Sequence, residues 1–242
     1  MQSKHLIHNN LKKRYLALSL IFLTVTAFGQ SNFYRLSGGI GGGGTYTFSD
    51  VQEGKFAYAG AMYLDYYFSP FITSGLEIQH GILKGKDFEG ERGHQKSFSN
   101  SYTTVTANVK FRAGEITDFY YSDFLNYTKG FYLGTGVGMI LNNNDAVRTQ
   151  PSTGYIFPGN SKAKSLIVPV NVGIDFYFPD GWGDIRYILN VNYQTTMDFG
   201  DNLDGYNSPP PFKNKGNDIY NFLSVGFKYT FGAKGVTTKT IR

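Results

Sequence analysis

Three glycines near the front of the chain, Gly39, Gly41 and Gly44, match the G-x-G-x-x-G spacing of a dinucleotide-binding turn. That chemistry needs a strand before the glycines, a helix after them and an acidic residue about 20 positions later. Here the glycines lie inside SGGIGGGGTYTF, and the residues around them alternate as in a β-strand. The spacing therefore does not indicate a phosphate site. We expect Gly39, Gly41 and Gly43 to face the interior of a strongly bent strand.

Outside the first 29 residues the chain has two histidines, His80 and His94, and His94 lies close in sequence to Ser97 and Ser99. Nothing in their spacing orders a histidine, a serine and an acid into a catalytic triad, and there is no compact metal-ligand motif. The chain contains no cysteine, which excludes disulfides and thiolate metal sites. The sequence therefore favours a protein without catalytic, cofactor-binding or metal-binding residues.

Charged residues occur at alternate positions within apolar segments. In FAYAGAMYLDYYF, for example, Asp65 shares a face with small residues while the opposite face is apolar from end to end. Opposite charges that share an enclosed polar face should pair, because an unpaired buried charge is unfavourable. We expect a structural network of paired charges, with a narrow ion path or proton relay as the alternative. The expected members of this lumen network are Arg35, Asp65, Glu77, Lys110, Arg112, Asp175, Arg186 and Lys228.

Alternation of apolar with small or polar residues recurs in eight segments of the chain and predicts eight β-strands. The connections between them alternate in length: long polar stretches such as 84–100 and 198–217 follow every odd strand, whereas Ser69-Pro70 and 179–183 are tight turns. Residues 113–129 break this rule and could carry a short interfacial helix. Even strand number and long loops at one end are typical of outer-membrane barrels, whereas a soluble sandwich would not segregate its loops. We therefore predict an all-β, eight-stranded antiparallel transmembrane barrel with long outer loops and mostly short periplasmic turns.

The first 29 residues combine a basic stretch, a short apolar run and the small-x-small sequence Ala27-Phe28-Gly29, which predicts a secretory signal peptide. Four basic residues and no acid lie in it, so its removal lowers the net charge from +5 to +1. The basic character of the whole chain is then no indication of nucleic-acid binding. The expected organisation is a signal peptide at 1–29, a barrel at 30–232 and a short periplasmic tail at 233–242.

The last predicted strand, NFLSVGFKYTF, carries apolar residues at alternate positions and an aromatic residue at the last outward one. With Phe227, Tyr229 and Phe231 in these positions, it resembles the insertion signal of outer-membrane barrels. The chain from 30 to about 232 resembles the small eight-stranded barrels of the OmpA/OmpX type, within the outer membrane protein beta-barrel domain families of Gram-negative bacteria. This resemblance implies the bacterial outer membrane, its lipid and lipopolysaccharide, and the barrel assembly machinery as surroundings and partners.

The resemblance implies little about a ligand, because one fold hosts many functions. An eight-stranded barrel is just wide enough for its own side chains to fill, so we expect a plugged lumen and a structural, adhesive or partner-binding role for the outer loops. The alternatives are a lipid A-modifying enzyme using His80 or His94, a narrow pore, and an accessory component of a secretion machine. The candidate loop contacts are Tyr155, Phe157 and Phe212, which are apolar residues in polar surroundings. The alternative is that these residues fold back over the barrel mouth or lie against the lipopolysaccharide headgroups.

Overall fold

The computed structural model describes residues 31–49, 51, 53–87, 96–119, 122–147, 154, 156, 158–200, 203–206 and 218–237. The predicted signal peptide lies outside these residues, as do His94 and the candidate loop contacts Tyr155, Phe157 and Phe212.

Antiparallel strands make up most of the described chain. They are β1 (Ser31–Phe48), β2 (Glu53–Lys55), β3 (Ala57–Tyr67), β4 (Ile72–Lys86), β5 (Ser97–Arg112), β6 (Phe131–Ala146), β7 (Lys162–Pro179), β8 (Ile185–Asp198) and β9 (Asp218–Thr237). A 3-10 helix (Ala113–Glu115) and the short helix α1 (Asp123–Thr128) lie between β5 and β6. No helix of the described residues has the length and apolar character needed to cross a membrane.

Eight of the strands form a closed ring. Each pairs with its neighbours in the order β4, β3, β1, β9, β8, β7, β6, β5, and pairing of β4 with β5 closes the circle. The three-residue β2 precedes β3 in the chain and is separated from it by Phe56. It pairs only with the end of β4, and so extends the pairing of β3 with β4 toward the loops. The predicted eight-stranded antiparallel barrel is therefore confirmed.

Alternation along the strands separates an apolar exterior from a largely polar interior. In β3 every second side chain is buried, and the exposed ones include Tyr58, Met62, Leu64 and Tyr66. The same exterior belt continues around the ring, with exposed Leu76, Val105, Leu133, Leu166, Tyr187, Leu223 and Ile40. A closed barrel satisfies its backbone hydrogen bonds within the ring, so such a belt can face lipid. The protein is thus an integral membrane barrel of the outer-membrane type.

The two ends of the barrel differ in their connections. At one end, here called the turn end, 68–71 and 180–184 are short, and 113–130 contains α1. The other end, here called the loop end, carries 49–56, 87–96, 147–161 and 199–217. In outer-membrane barrels the long loops face outward from the cell, which makes the turn end periplasmic.

The long turn 113–130 forms the short helix that the sequence suggested. Phe119 is buried and its ring centroid lies 5.4 Å from that of Phe71, so this part of the turn closes the barrel from below. Phe124 and Tyr127 of α1 are instead largely exposed. Aromatic side chains beside the apolar belt are typical of the membrane–water interface.

A β-bulge near the turn end changes the direction of two side chains. The register of β1 with β9 shifts between Tyr34 and Leu36, opposite Gly232, whose φ of +83° is in the left-handed region that favours glycine. Tyr34, expected on the outer face with Leu36, is consequently buried. Arg35 is exposed and donates a hydrogen bond to the Tyr66 hydroxyl (3.1 Å), so the prediction that Arg35 lies in the lumen is wrong.

The last strand does not stop at Phe231. Residues 233–237 continue β9, and the last four of them, 234–237, pair with Ser31 to Tyr34 at the start of β1. The segment expected to be a separate periplasmic tail from 233 onward is therefore, as far as Thr237, part of the barrel wall.

Candidate functional site

The loop end of the lumen is filled by buried apolar and aromatic side chains, here called the outer plug. Tyr102 and Tyr220 face each other with ring centroids 5.3 Å apart, and both are buried. The other members are Val51, Ala59, Ala61, Tyr63, Leu83, Phe98, Ile140, Ile167, Leu203, Tyr206 and Phe222. These buried side chains occupy the lumen at this level.

Two members of the outer plug, Leu203 and Tyr206, come from the connection between β8 and β9 and fold back over the barrel mouth. The Leu203 carbonyl accepts a hydrogen bond from Asn100 Nδ2 (2.8 Å). The Tyr206 hydroxyl lies 2.9 Å from the Ser97 carbonyl oxygen, 2.8 Å from that of Val147 and 3.0 Å from the Ser97 amide nitrogen, which donates to it. Leu203 and Tyr206 are here called the cap. These hydrogen bonds join the cap to β5 and to the end of β6.

Six charged residues lie below the outer plug, and each is at most 2% exposed. They are here called the charged layer and consist of Asp65, Glu77, Lys110, Arg112, Asp175 and Lys228. Lys228 Nζ lies 2.5 Å from Asp65 Oδ2, and Arg112 Nη2 lies 2.7 Å from Asp175 Oδ2. Arg112 also donates from Nη1 to Thr73 Oγ1 (3.2 Å). Three acids face three bases in this layer, so its formal charge is zero.

Glu77 and Lys110 complete the layer without a direct ion pair to another described residue. Glu77 Oε1 accepts a hydrogen bond from Gln79 Nε2 (2.6 Å). Lys110 Nζ lies 5.7 Å from the ring centroid of Tyr63 and 5.4 Å from that of Tyr132, within the range of a cation–π contact. Aromatic rings thus stabilise the ammonium group that no carboxylate contacts.

A chain of amides and a tyrosine connects the charged layer to three strands. Asn190 Nδ2 donates to Asp175 Oδ1 (2.7 Å) and to the Tyr132 hydroxyl (2.9 Å). That hydroxyl donates to Asn192 Oδ1 (2.9 Å), and Asn192 Nδ2 donates to Asn171 Oδ1 (3.0 Å). Polar groups that are hydrogen-bonded in this way hold the charges in one arrangement.

The turn end of the lumen is closed by a second apolar cluster, here called the turn-end plug, consisting of Phe33, Tyr67, Phe71, Phe119 and Ile188. A small cavity of about 10 Å³ remains beside it, which is room for about one water molecule. The charged layer therefore lies between two apolar plugs.

Arg186 was expected in the lumen network but lies at the periplasmic rim, because it is near the first residue of β8. Its guanidinium stacks on the Tyr34 ring, 3.9 Å from the centroid, and Nε lies 3.3 Å from Asp180 Oδ2. It is partly exposed and has no contact with the six residues of the charged layer. The expectation that Arg186 belongs to the lumen network is therefore corrected.

The tight turn between β7 and β8 is held by its two acids. Asp180 Oδ1 accepts hydrogen bonds from the amides of Trp182 (2.9 Å) and Asp184 (3.0 Å). Lys234 of β9 donates to Asp184 Oδ2 (2.6 Å), and this hydrogen bond holds the pKa of Asp184 below its ordinary value. The contact also fixes the end of β9 to this turn.

The residues of the predicted insertion signal, Phe227, Tyr229 and Phe231, are exposed on the outer face of β9. His80 also faces outward, near the loop end of β4, and its Nδ1 lies 2.9 Å from Thr103 Oγ1. No group of three potential metal ligands among histidine, cysteine, aspartate and glutamate occurs in the part of the chain that the structure describes.

The predicted lumen network does not include the aromatic side chains that share its inward face. Tyr63, Tyr67 and Tyr132 lie on the inward face beside the charges, where their rings contact Lys110, Lys228 and Arg112. Their parity in the alternation places them there, since Tyr63 shares a face with Asp65. The cap residues Leu203 and Tyr206 belong to no alternating segment, so no such signal marks them.

No family model and no curated protein matches this chain. Among solved structures it is similar to Neisserial surface protein A (12% identity, 84% of this chain and 99% of that one, TM-score 0.46). It is also similar to Ail, the attachment invasion locus protein of Yersinia pestis (12%, 82% and 99%, 0.42), and to OprG from Pseudomonas aeruginosa (11%, 83% and 98%, 0.40). Because these likenesses are distant, the fold is established here by this chain's own strand pairing and exterior belt.

Proposed function

We propose that this protein is a non-conducting barrel of the bacterial outer membrane that displays its long loops for attachment to a partner or surface. One observation supports this proposal: buried apolar and aromatic clusters occupy both ends of the described lumen, with the ion-paired charged layer between them. The barrel then serves as an anchor for the long connections at its loop end.

A filled lumen argues against the alternative of a pore. An ion that crosses the barrel would have to displace Tyr102 and Tyr220, then separate Lys228 from Asp65 or Arg112 from Asp175. Separating such a pair leaves a buried charge without its partner, which costs several kcal/mol, on the order of 3–5. Steady conduction would require a different arrangement of these side chains.

The loop end offers the larger surface for a partner. Three of its connections, 87–96, 147–161 and 199–217, are long, and Ile156 is exposed in the second of them. Exposed apolar residues in polar surroundings are suited to contact with a partner. Tyr155, Phe157 and Phe212 are the aromatic residues that we propose for this contact.

Trimming the loops tests this proposal. In one variant residues 148–157 are replaced by a short Gly-Ser linker, and in a second residues 207–217 are replaced, which leaves the cap residues Leu203 and Tyr206 in place. We expect cells that display either variant to lose most of their attachment to immobilised matrix proteins, glycans or cells of their own strain. Retention of labelled cells after washing is the measurement.

The matched control instead replaces the exposed Phe124 and Tyr127 of the periplasmic turn by alanine, and surface display of every variant is checked by labelling of intact cells. Attachment that is unchanged in both loop variants while display is equal would contradict the proposal.

The two other functions considered from the sequence, a lipid A-modifying enzyme and an accessory component of a secretion machine, stay predictions. His80, the histidine considered for the enzyme, has Thr103 rather than an acid as its hydrogen-bond partner.

A further inference from the structure

The outer wall of four neighbouring strands changes abruptly from apolar to cationic near the loop end. Outward residues of β4, β5, β6 and β7 lie opposite one another in rows. One row is entirely apolar and consists of Ile78, Val105, Met139 and Leu166. The next two rows toward the loop end are His80, Thr103, Leu141 and Lys164, then Ile82, Ser101, Asn143 and Lys162.

These polar rows line a shallow, open groove on the outer wall. The groove has a volume of about 580 Å³ and is lined by side chains of β4 to β7, among them His80, Ser101, Thr103, Lys162 and Lys164. It holds two ammonium groups, an imidazole and two hydroxyls. Ammonium and hydroxyl groups together are suited to the oxygen atoms of a phosphate group.

The two lysines of the groove have no ion-pair partner within 4.0 Å among the residues that the structure describes. The acid closest to them by strand register is Asp145, which lies opposite Ser99, one row further toward the loop end. Two exposed cations beside each other repel, so an anion in the groove would be favourable.

The opposite wall of the barrel has a different character at the loop end. Its outward residues there are mainly aromatic or apolar, with Thr195 and Asn221 as polar exceptions, and exposed examples are Tyr46, Phe48, Phe56, Tyr58 and Met197. The contrast between the two groove lysines and the mainly apolar opposite wall indicates a particular site rather than a general contact with headgroups all round the barrel.

We propose that this groove binds the phosphate of an outer-leaflet lipid, with Lys162 and Lys164 as the cationic ligands and Ser101, Thr103 and His80 as further hydrogen-bonding groups. The apolar row Ile78, Val105, Met139 and Leu166 starts directly beneath the polar rows and would receive the acyl chains. Because cations and apolar surface adjoin here, the site fits an amphiphile anchored in the membrane rather than a free anion. This inference goes beyond the proposed loop function and does not depend on it.

Lipid retention by the purified, folded barrel tests the site. The barrel is incubated in detergent with diphosphoryl lipid A or with the same lipid after enzymatic removal of its phosphates, and bound lipid is counted by native mass spectrometry. We expect Lys162→Gln/Lys164→Gln to retain about tenfold less diphosphoryl lipid than the unmodified barrel, since two charge-assisted contacts are lost. The matched control Arg35→Gln/Lys55→Gln removes two exposed charges outside the groove and should stay within about twofold.

Two results would overturn the inference: equal retention by the groove variant and the unmodified barrel, or equal retention of the lipid with and without its phosphates. In the last part of the experiment, an excess of inorganic phosphate is added to the barrel with its bound lipid. If it displaces the lipid completely, the groove is a site for a free anion and the lipid proposal fails. Because all four substituted side chains lie on the outside of the barrel, heat-dependent mobility on SDS gels should show each variant folded.

Discussion

Replacement of Lys228 by methionine is expected to lower the free energy of unfolding by about 3–5 kcal/mol. Lys228 Nζ lies 2.5 Å from Asp65 Oδ2, and both side chains are at most 1% exposed. The variant leaves the Asp65 carboxylate buried without its partner, and removal of one charge also ends the neutrality of the charged layer. Urea titration of the detergent-folded protein, followed by the β-sheet signal in circular dichroism, measures the change.

Two further variants make this result specific. Lys228→Met/Asp65→Leu removes both charges and should recover most of the loss, because no unpaired charge stays behind. Lys55→Met removes a lysine that is 41% exposed and 3.0 Å from Glu53, and a surface pair of this kind contributes about 0–1 kcal/mol. If the Lys228 and Lys55 variants were equally stable, the ion pair in the lumen would not stabilise the fold as described.

Replacement of Gly43 by alanine is expected to destabilise the barrel by at least about 2 kcal/mol, or to prevent its folding. Gly43 faces inward on β1 opposite Ser224 of β9, and a Cβ atom added there would lie 2.7 Å from Ser224 Cα and overlap the Leu223 carbonyl group. These are backbone atoms, so neither can move aside without a shift of the whole strand pair.

The neighbouring Gly42 is the matched control for this substitution. A Cβ at Gly42 would face outward, with the Ala59 carbonyl oxygen at 3.7 Å as its nearest contact. Gly42→Ala should therefore fold as the unmodified chain does, as judged by the gel shift on heating and by urea titration. Equal stability of the two alanine variants would show that β1 and β9 do not approach as closely as the structure indicates.

Alternation in the sequence was sufficient to predict the side of the wall on which most residues lie. A strand has a side-chain period of two, so Asp65, Glu77, Lys110, Arg112, Asp175 and Lys228 all point inward as their parity requires. Parity fails where a strand is irregular. The bulge opposite Gly232 reverses Tyr34 and Arg35, and nothing in the sequence before Leu36 marks that change.

The partners within the lumen could not be predicted in the same way. Asp65 and Lys228 are 163 residues apart, and β3 and β9 lie on either side of β1 without pairing with each other. Their contact depends on the stagger and diameter of the closed ring, which a single strand does not reveal. The cap residues Leu203 and Tyr206 depend on the course of a connection, and connections carry no periodic pattern.

The glycines of β1 acquire a physical meaning from the ring. Gly39, Gly41 and Gly43 face inward as expected, and a Cβ at Gly41 would lie 2.9 Å from the Tyr63 hydroxyl. Because these glycines have no side chains, β1 leaves space for Tyr63 of β3 and Lys228 of β9. The glycine-rich stretch therefore contributes to the filling of the lumen rather than to a phosphate site.

Planar-bilayer recording of the refolded protein is the most direct test of the claim that the lumen is closed and that function resides outside it. At neutral pH, with an established porin as the control for bilayer sensitivity, we expect insertion without steady single-channel current, because the outer plug, the charged layer and the turn-end plug together block the path. Reproducible, stepwise conductance from the unmodified barrel would contradict that claim and would favour the pore.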